Sequence, residues 1–140
     1  MPVGMTFETA TRTLDRDAIV RFASEWDPQP FHLDDAAAEA SPYGGLIASG
    51  FHTVLVAFNL VLASSDWSQS SMGSPGLANV EWIKPVFVND TLKVRVEVLS
   101  AKPSQSKPDR GFVELQYTIV NQHEAVVARY RGTLMLRRRA

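Results

Sequence analysis

The sequence predicts an α+β fold in which one long central helix is wrapped by a curved antiparallel β-sheet. Three observations predict it. The segment from Ile47 to Ala63 is apolar on nearly every side, so it needs cover from several directions. Strand-like runs follow it in series, several with apolar and polar residues alternating. The chain has 140 residues, 45% hydrophobic and 21% charged, which is the size and make-up of one globular domain over residues 1–140.

The elements follow in order. Met5 to Thr13 reads as a short edge strand. Asp15 is placed to cap a helix whose apolar positions, Ala18, Ile19, Phe22, Ala23 and Trp26, recur at helical spacing. Pro28 and Pro30 end that helix near Trp26. Asp34 or Asp35 caps a second short helix, Ala36 to Ala40, and Ser41 to Gly45 is a loop. The long helix, Ile47 to Ala63, comes next. Ser64 to Gly76 is rich in Ser and Gly and reads as a loop or flap. Leu77 to Ile83 is a strand. Thr91 to Val98 alternates strictly, with Leu92, Val94, Val96 and Val98 on one side. Ala101 to Arg110, holding Pro103 and Pro108, reads as a loop. Gly111 to Val120 and Ala125 to Leu136 are strands joined by a hairpin at Asn121 to Glu124. Arg137 to Arg139 reads as a solvated tail. A strongly twisted sheet can curl around such a helix, which is the hot-dog arrangement. A single sheet has edges, and edges invite pairing, so at least a homodimer is expected.

Bulk properties exclude several classes. The net charge is −1, which offers no electrostatic pull toward nucleic acid or anionic membrane. There is no cysteine, hence no disulfide and no thiolate nucleophile or ligand, and this fits a reducing cytoplasm. Met1 to Phe7 lacks the basic and apolar regions of a signal peptide. Polar residues from Ser49 to Asn59 interrupt the long apolar stretch, which favours a buried helix over a membrane span. His32, His52 and His123 are too scattered for a metal site, and no metal or cofactor is expected.

The densest chemical cluster is Trp26-Asp27-Pro28-Gln29-Pro30-Phe31-His32. Each proline fixes its own φ and pushes the residue before it toward extended geometry. A stiff loop with one carboxylate and one imidazole suits acid–base work on a bound water. The same residues also fit a Pro-rich connection between helices, with Asp27 as a turn residue and His32 near a cap. The residues by themselves leave both readings open. His52 reads as a buried structural residue and His123 as exposed in its hairpin. Trp67, Met72 and Trp82 fit either an acyl pocket or the core.

The cluster resembles the signature of MaoC-like and (R)-specific enoyl-CoA hydratases, a stretch close to Gly-Asp-x-Asn-Pro-aliphatic-His. Asp27 and His32 keep the spacing of five, and Pro30 keeps its place. Ser49-Gly50-Phe51 stands where that family turns into its central helix, and Lys84-Pro85-Val86 through Thr91-Leu92 resembles its second-half pattern. The resemblance runs from about residue 15 to residue 137. It departs at Trp26, Gln29 and Phe31, where the family has Gly, Asn and an aliphatic residue.

The resemblance implies a hot-dog hydro-lyase that adds water to a trans-2-enoyl thioester of coenzyme A or acyl carrier protein. It implies Asp27 and His32 as the acid–base pair, with the Gly50 N–H as donor to the thioester oxygen. Gln29, Ser49 and Phe51 are then substrate-binding residues. Close packing at the helix entrance is the other reading of Gly50. A hot-dog thioesterase and a non-catalytic acyl-thioester-binding subunit are the alternatives; the absence of Asp and Glu from Gly50 to Ala63 speaks against a thioesterase with its acid on the helix.

Overall fold

The computed structural model describes residues 2–65, 67 and 70–138. Two short strands, β1 (Thr6–Glu8) and β2 (Arg12–Thr13), come first. Three helices follow: α1 (Arg16–Trp26), α2 (Pro30–Leu33) and α3 (Asp35–Glu39). The central helix α4 spans Gly50–Ala63. The remaining strands are β3 (Gly76–Trp82), β4 (Thr91–Pro103), β5 (Arg110–Val120) and β6 (Val126–Arg137). The strand order is β1-β4-β5-β6-β3, with β2 also on β4, and the pairs are antiparallel. This is a hot-dog fold.

Local chemistry explains the first half. The Asp15 side chain accepts from the Ala18 N–H at 2.8 Å and caps α1. The Asp34 side chain does the same for α3 through the Ala37 N–H at 2.9 Å. Between them Pro30 opens α2, a turn of helix not expected from the sequence; proline suits a first helical position because its missing N–H would be unpaired there anyway.

The core lies between α4 and the inner face of the sheet. Leu92, Val94, Val96 and Val98 on β4 are buried, as their alternation predicts, together with Leu115, Tyr117 and Ile119 on β5. Tyr117 and Tyr130 pair across β5 and β6 with their rings stacked 4.6 Å apart. Burial pushes the Tyr117 hydroxyl up to about 12.

Four expectations need correction. The long helix begins at Gly50, because Leu46 to Ser49 is buried extended chain: Ile47 bridges Phe87, and the Ala48 N–H donates to the Val86 carbonyl at 2.8 Å. β4 runs on through Pro103, because a register shift between Val98 and Ser100 lets Ser100 to Pro103 pair with β5. Part of the Ser64 to Gly76 loop is tied down. The Met72 N–H donates to the Met135 carbonyl and the Met135 N–H to the Gly73 carbonyl, so this stretch runs beside the end of β6. Arg137 is the last residue of β6 and Arg138 donates its N–H to the Asp109 carbonyl, so the expected tail begins no earlier than Arg139, which lies outside the described residues.

α4 is only half covered within one chain. His52, Thr53, Val56, Ala57, Leu60 and Val61 face inward. Phe51, Leu55, Phe58 and Leu62 face outward, with exposures between 42% and 63%. Full burial of each larger apolar side chain is worth about 1.5–3 kcal/mol, so the inner face anchors the helix and the outer face contributes little. No helix among the described residues is long and apolar enough to cross a membrane.

His52 is buried, as expected. Its ring stacks on Phe22 at 4.5 Å with 9° between the planes, and its Nδ1 has no hydrogen-bond partner. Burial, aided by the nearby Arg12 guanidinium, holds its pKa below the usual value of 6.5. Above pH 6.5 the ring is neutral folded or unfolded; below it, the unfolded chain takes up a proton that the folded ring resists. Stability should therefore fall as pH drops below 6.5, and His52→Leu should reduce that slope. Urea unfolding midpoints at pH 7.5 and 5.5 check this; an unchanged slope in His52→Leu would contradict it.

Candidate active site

The site is built where α1 ends, α2 begins and α4 begins. Asp27 is the C-cap of α1, with its N–H on the Ala23 carbonyl. The Gln29 N–H then donates to the Asp27 carbonyl at 2.7 Å across Pro28, a tight three-residue turn that suits the fixed φ of proline. This turn lets the chain re-enter a helical turn three residues later and brings His32 back toward Asp27. His32 Nε2 lies 3.3 Å from Asp27 Oδ2. His32 is buried, and the Asp27 side chain keeps 16% of its surface exposed.

A backbone clamp fixes the imidazole. His32 Nδ1 is 2.7 Å from the Ile47 carbonyl. A carbonyl only accepts, so Nδ1 carries a proton, and Nε2 is the nitrogen presented to Asp27. In return the Ile47 N–H donates to the Phe31 carbonyl at 3.2 Å.

Asp27 is held ionised. Burial alone would raise its pKa and is the largest single influence, but it is outweighed by Gln29, Ser49 and His32 together, and the net shift is downward. Gln29 Nε2 donates to Asp27 Oδ1 at 2.6 Å. The Ser49 hydroxyl is fully buried and near enough to favour the carboxylate, yet it makes no full hydrogen bond among the described residues.

These groups open on a cavity of about 430 Å³. Asp27, Gln29, His32, Gly50 and Phe51 all line it, and so do Phe31, Tyr43 and Trp82. Of the six residues singled out from the sequence, Ser49 alone is not on the wall; it sits behind, as the N-cap of α4 without a side-chain cap. Gly50 is the first residue of α4, and the N–H groups of Gly50, Phe51 and His52 find no backbone acceptor among the described residues. The helix therefore presents free donors and the positive end of its dipole at the cavity. His52 points away from it, and His123 is exposed in the β5–β6 hairpin.

The aromatic candidates divide. Trp67 belongs to the core and donates its indole N–H to the Val61 carbonyl. Met72 lies beside β6, away from the cavity. Trp82 is a cavity residue, with Phe51 edge-on to its ring at 5.4 Å. Sequence reasoning missed the Ile47 carbonyl, because a backbone acceptor leaves no trace in residue identity. It also gave Tyr43 no role, since its signal was only a loop.

Gly50 is also a packing requirement. A Cβ there would overlap Cε2 and Nε1 of Trp82 and lie 2.8 Å from Cδ1. Both readings of Gly50 are therefore compatible with its position, as a donor and as the floor on which the indole rests.

Residues 1–122 match the family model described as the MaoC-like domain. The chain belongs to the MaoC-like domain family. It is 38% identical to the crystal structure of a MaoC-like dehydratase from Rhodospirillum rubrum, with a TM-score of 0.92 over all of this chain and 95% of that one. It is 29% identical to the uncharacterized protein YdeM of Bacillus subtilis, over 97% of this chain and 95% of that protein. It is 33% identical over 87 residues to mesaconyl-CoA hydratase of Cereibacter sphaeroides, a match covering 61% of this chain and a quarter (25%) of that enzyme.

The contact between Gly50 and Trp82 gives a direct prediction. Gly50→Ala should lower stability by about 1–3 kcal/mol, the range for overpacking a filled site. In a Trp82→Ala background the same change should cost much less. A double-mutant cycle by chemical denaturation checks it; additive effects would show that the two residues do not share this space.

Proposed function

We propose that this chain reversibly hydrates a trans-2-enoyl thioester, carried by coenzyme A or acyl carrier protein, to the (R)-3-hydroxyacyl thioester. The observation that carries this reading is one cavity lined by Asp27, by His32 3.3 Å from it, and by Gly50 at the start of α4. Family membership and the hydratase among the relatives support it, and the (R) configuration follows from the motif resemblance.

The chemistry runs from the geometry. The thioester oxygen accepts from the Gly50 N–H, where the helix dipole favours the negative charge that develops as the β-carbon is attacked. A water held between Asp27 and His32 Nε2 is oriented and deprotonated by Asp27, and its oxygen bonds to the β-carbon. The C=C electron pair shifts toward the carbonyl, His32 Nε2 gives a proton to the α-carbon, and the proton that Asp27 took from the water passes back to Nε2. One O–H bond is broken and one C–H bond formed, and the thioester stays intact. Gln29 holds Asp27 in place at 2.6 Å, and Phe51 walls the substrate. Ser49 acts from behind, on Asp27.

A thioesterase would direct the same water to the carbonyl carbon. α4 has no Asp or Glu to hold water there, which favours hydration. With trans-2-butenoyl-CoA, the conjugated absorbance should fall while no free thiol appears. Asp27→Asn and His32→Ala should each slow this by about 10²-fold or more, the usual scale for a lost acid–base group. Stoichiometric thiol release would establish hydrolysis instead, and inertness toward a broad enoyl panel would favour a binding subunit.

In this reading residues 1–140 work as one domain, in the cytoplasm, within a homodimer or larger homo-oligomer. The outward residues Leu55, Phe58 and Leu62 of α4 support assembly, as do the half-exposed Leu77 and Val80 of the edge strand β3. Sedimentation equilibrium should report at least a dimer at micromolar concentration, and Leu55→Asp with Phe58→Asp should dissociate it. A monomeric wild-type protein under those conditions would overturn the assembly.

A further inference from the structure

We propose that Trp82 is the specificity-determining residue of the cavity, and that its indole restricts the acyl group to a short, flat chain. The proposal rests on the acyl-thioester reading for the class of molecule that fills the cavity.

The placement of Trp82 is built into the edge strand. β3 and β6 lose register between Ala78 and Glu81: three residues advance on β3 while two advance on β6, from Arg131 to Arg129. Asn79 takes the strain of this bulge, with φ at 53°. An unbulged strand would place residue 80 opposite Arg129 and residue 81 opposite Ala128. Glu81 would then face inward and Trp82 outward, because side chains alternate along a strand. With the bulge, Glu81 pairs with Arg129 on the outer face and Trp82, opposite the buried Ala128, turns toward α4. Beyond it the N–H groups of Ile83 and Lys84 both donate to the Val127 carbonyl, at 2.8 and 3.1 Å, which holds the strand end in place.

The indole so aimed does not enter the core. It is 49% exposed, rests on Gly50 and takes the edge of Phe51, itself 63% exposed. An aromatic that served packing alone would be expected under cover. This one stands as a wall of the cavity beside the helix N-terminus. A thioester whose oxygen reaches the Gly50 N–H carries its first few carbons directly beneath that wall. A planar conjugated enoyl group fits against an indole face, and on this proposal the same indole stops a longer chain.

The test compares wild type with Trp82→Ala and Trp82→Phe, using trans-2-butenoyl-CoA and trans-2-octenoyl-CoA. Wild type should prefer the four-carbon substrate by about tenfold or more in kcat/KM, a hydrophobic-pocket discrimination of ordinary size. Trp82→Ala should shift the eight-carbon to four-carbon ratio at least tenfold toward octenoyl, and Trp82→Phe should shift it less in the same direction. Calorimetric binding of butanoyl-CoA and octanoyl-CoA, which a hydratase does not consume, should show the same change of preference. That readout stands even if neither enoyl ester is turned over, a result that would fail the hydratase reading and leave this one to the binding ratio. If Trp82→Ala does not fold, Trp82→Phe carries the test. An unchanged chain-length ratio in a folded variant, by turnover or by binding, would overturn the proposal.

Discussion

The arrangement depends on a reciprocal pair of hydrogen bonds between residues 31–32 and Ile47. The Ile47 N–H donates to the Phe31 carbonyl, and the Ile47 carbonyl accepts from His32 Nδ1. Ile47 is buried, so its backbone groups must find partners or carry a penalty of about 1–3 kcal/mol each. Satisfying them joins α2 to the chain that enters α4. It also points a protonated Nδ1 at the backbone and turns Nε2 toward Asp27. The next residue, Ala48, donates to Val86, so the crossover from β3 to β4 is tied to the same short segment. Three distant stretches of sequence thus meet at the start of one helix.

The same constraint explains why the helix starts where it does. With Ile47 and Ala48 held in extended pairing, α4 begins only at Gly50, and its first N–H groups are left facing the cavity. A residue with a side chain at position 50 would collide with Trp82, so the free donors and the aromatic wall coexist only because that residue is glycine. Asp27 completes the polarity. Its carboxylate stays charged in a partly buried place because Gln29, Ser49 and His32 offset the cost of burial. A negative carboxylate and a positive helix end then line the same cavity.

Much of this was legible in the sequence, and the limits are physical. The cap at Asp15, a cap at Asp34 or Asp35 that the structure places at Asp34, the end of α1 before Pro28 and the inward residues of β4 follow from local rules. The spacing of Asp27 and His32 was legible as a motif, and the fold brings them to 3.3 Å. What was not legible depends on contacts far apart in sequence. The apolar run from Ile47 to Ser49 looks helical by itself, and only Val86, Phe87 and Phe31 draw it out as extended chain. Pro103 looks like a strand breaker, yet at the end of β4 it is tolerated. The bulge at Asn79, which aims Trp82, leaves only a faint trace in one asparagine.

The central claim is that Asp27 and His32 direct a water to the β-carbon of a bound enoyl thioester. The most direct measurement follows the oxygen atom. The purified protein would be incubated with trans-2-butenoyl-CoA in ¹⁸O-labelled water, and the product analysed by mass spectrometry, for wild type and for Asp27→Asn. The account predicts one ¹⁸O at the 3-hydroxyl of an intact thioester in wild type, and little product in the same time in the variant. Label in a free carboxylate, or equal labelling of the 3-hydroxyl with Asp27→Asn, would contradict it.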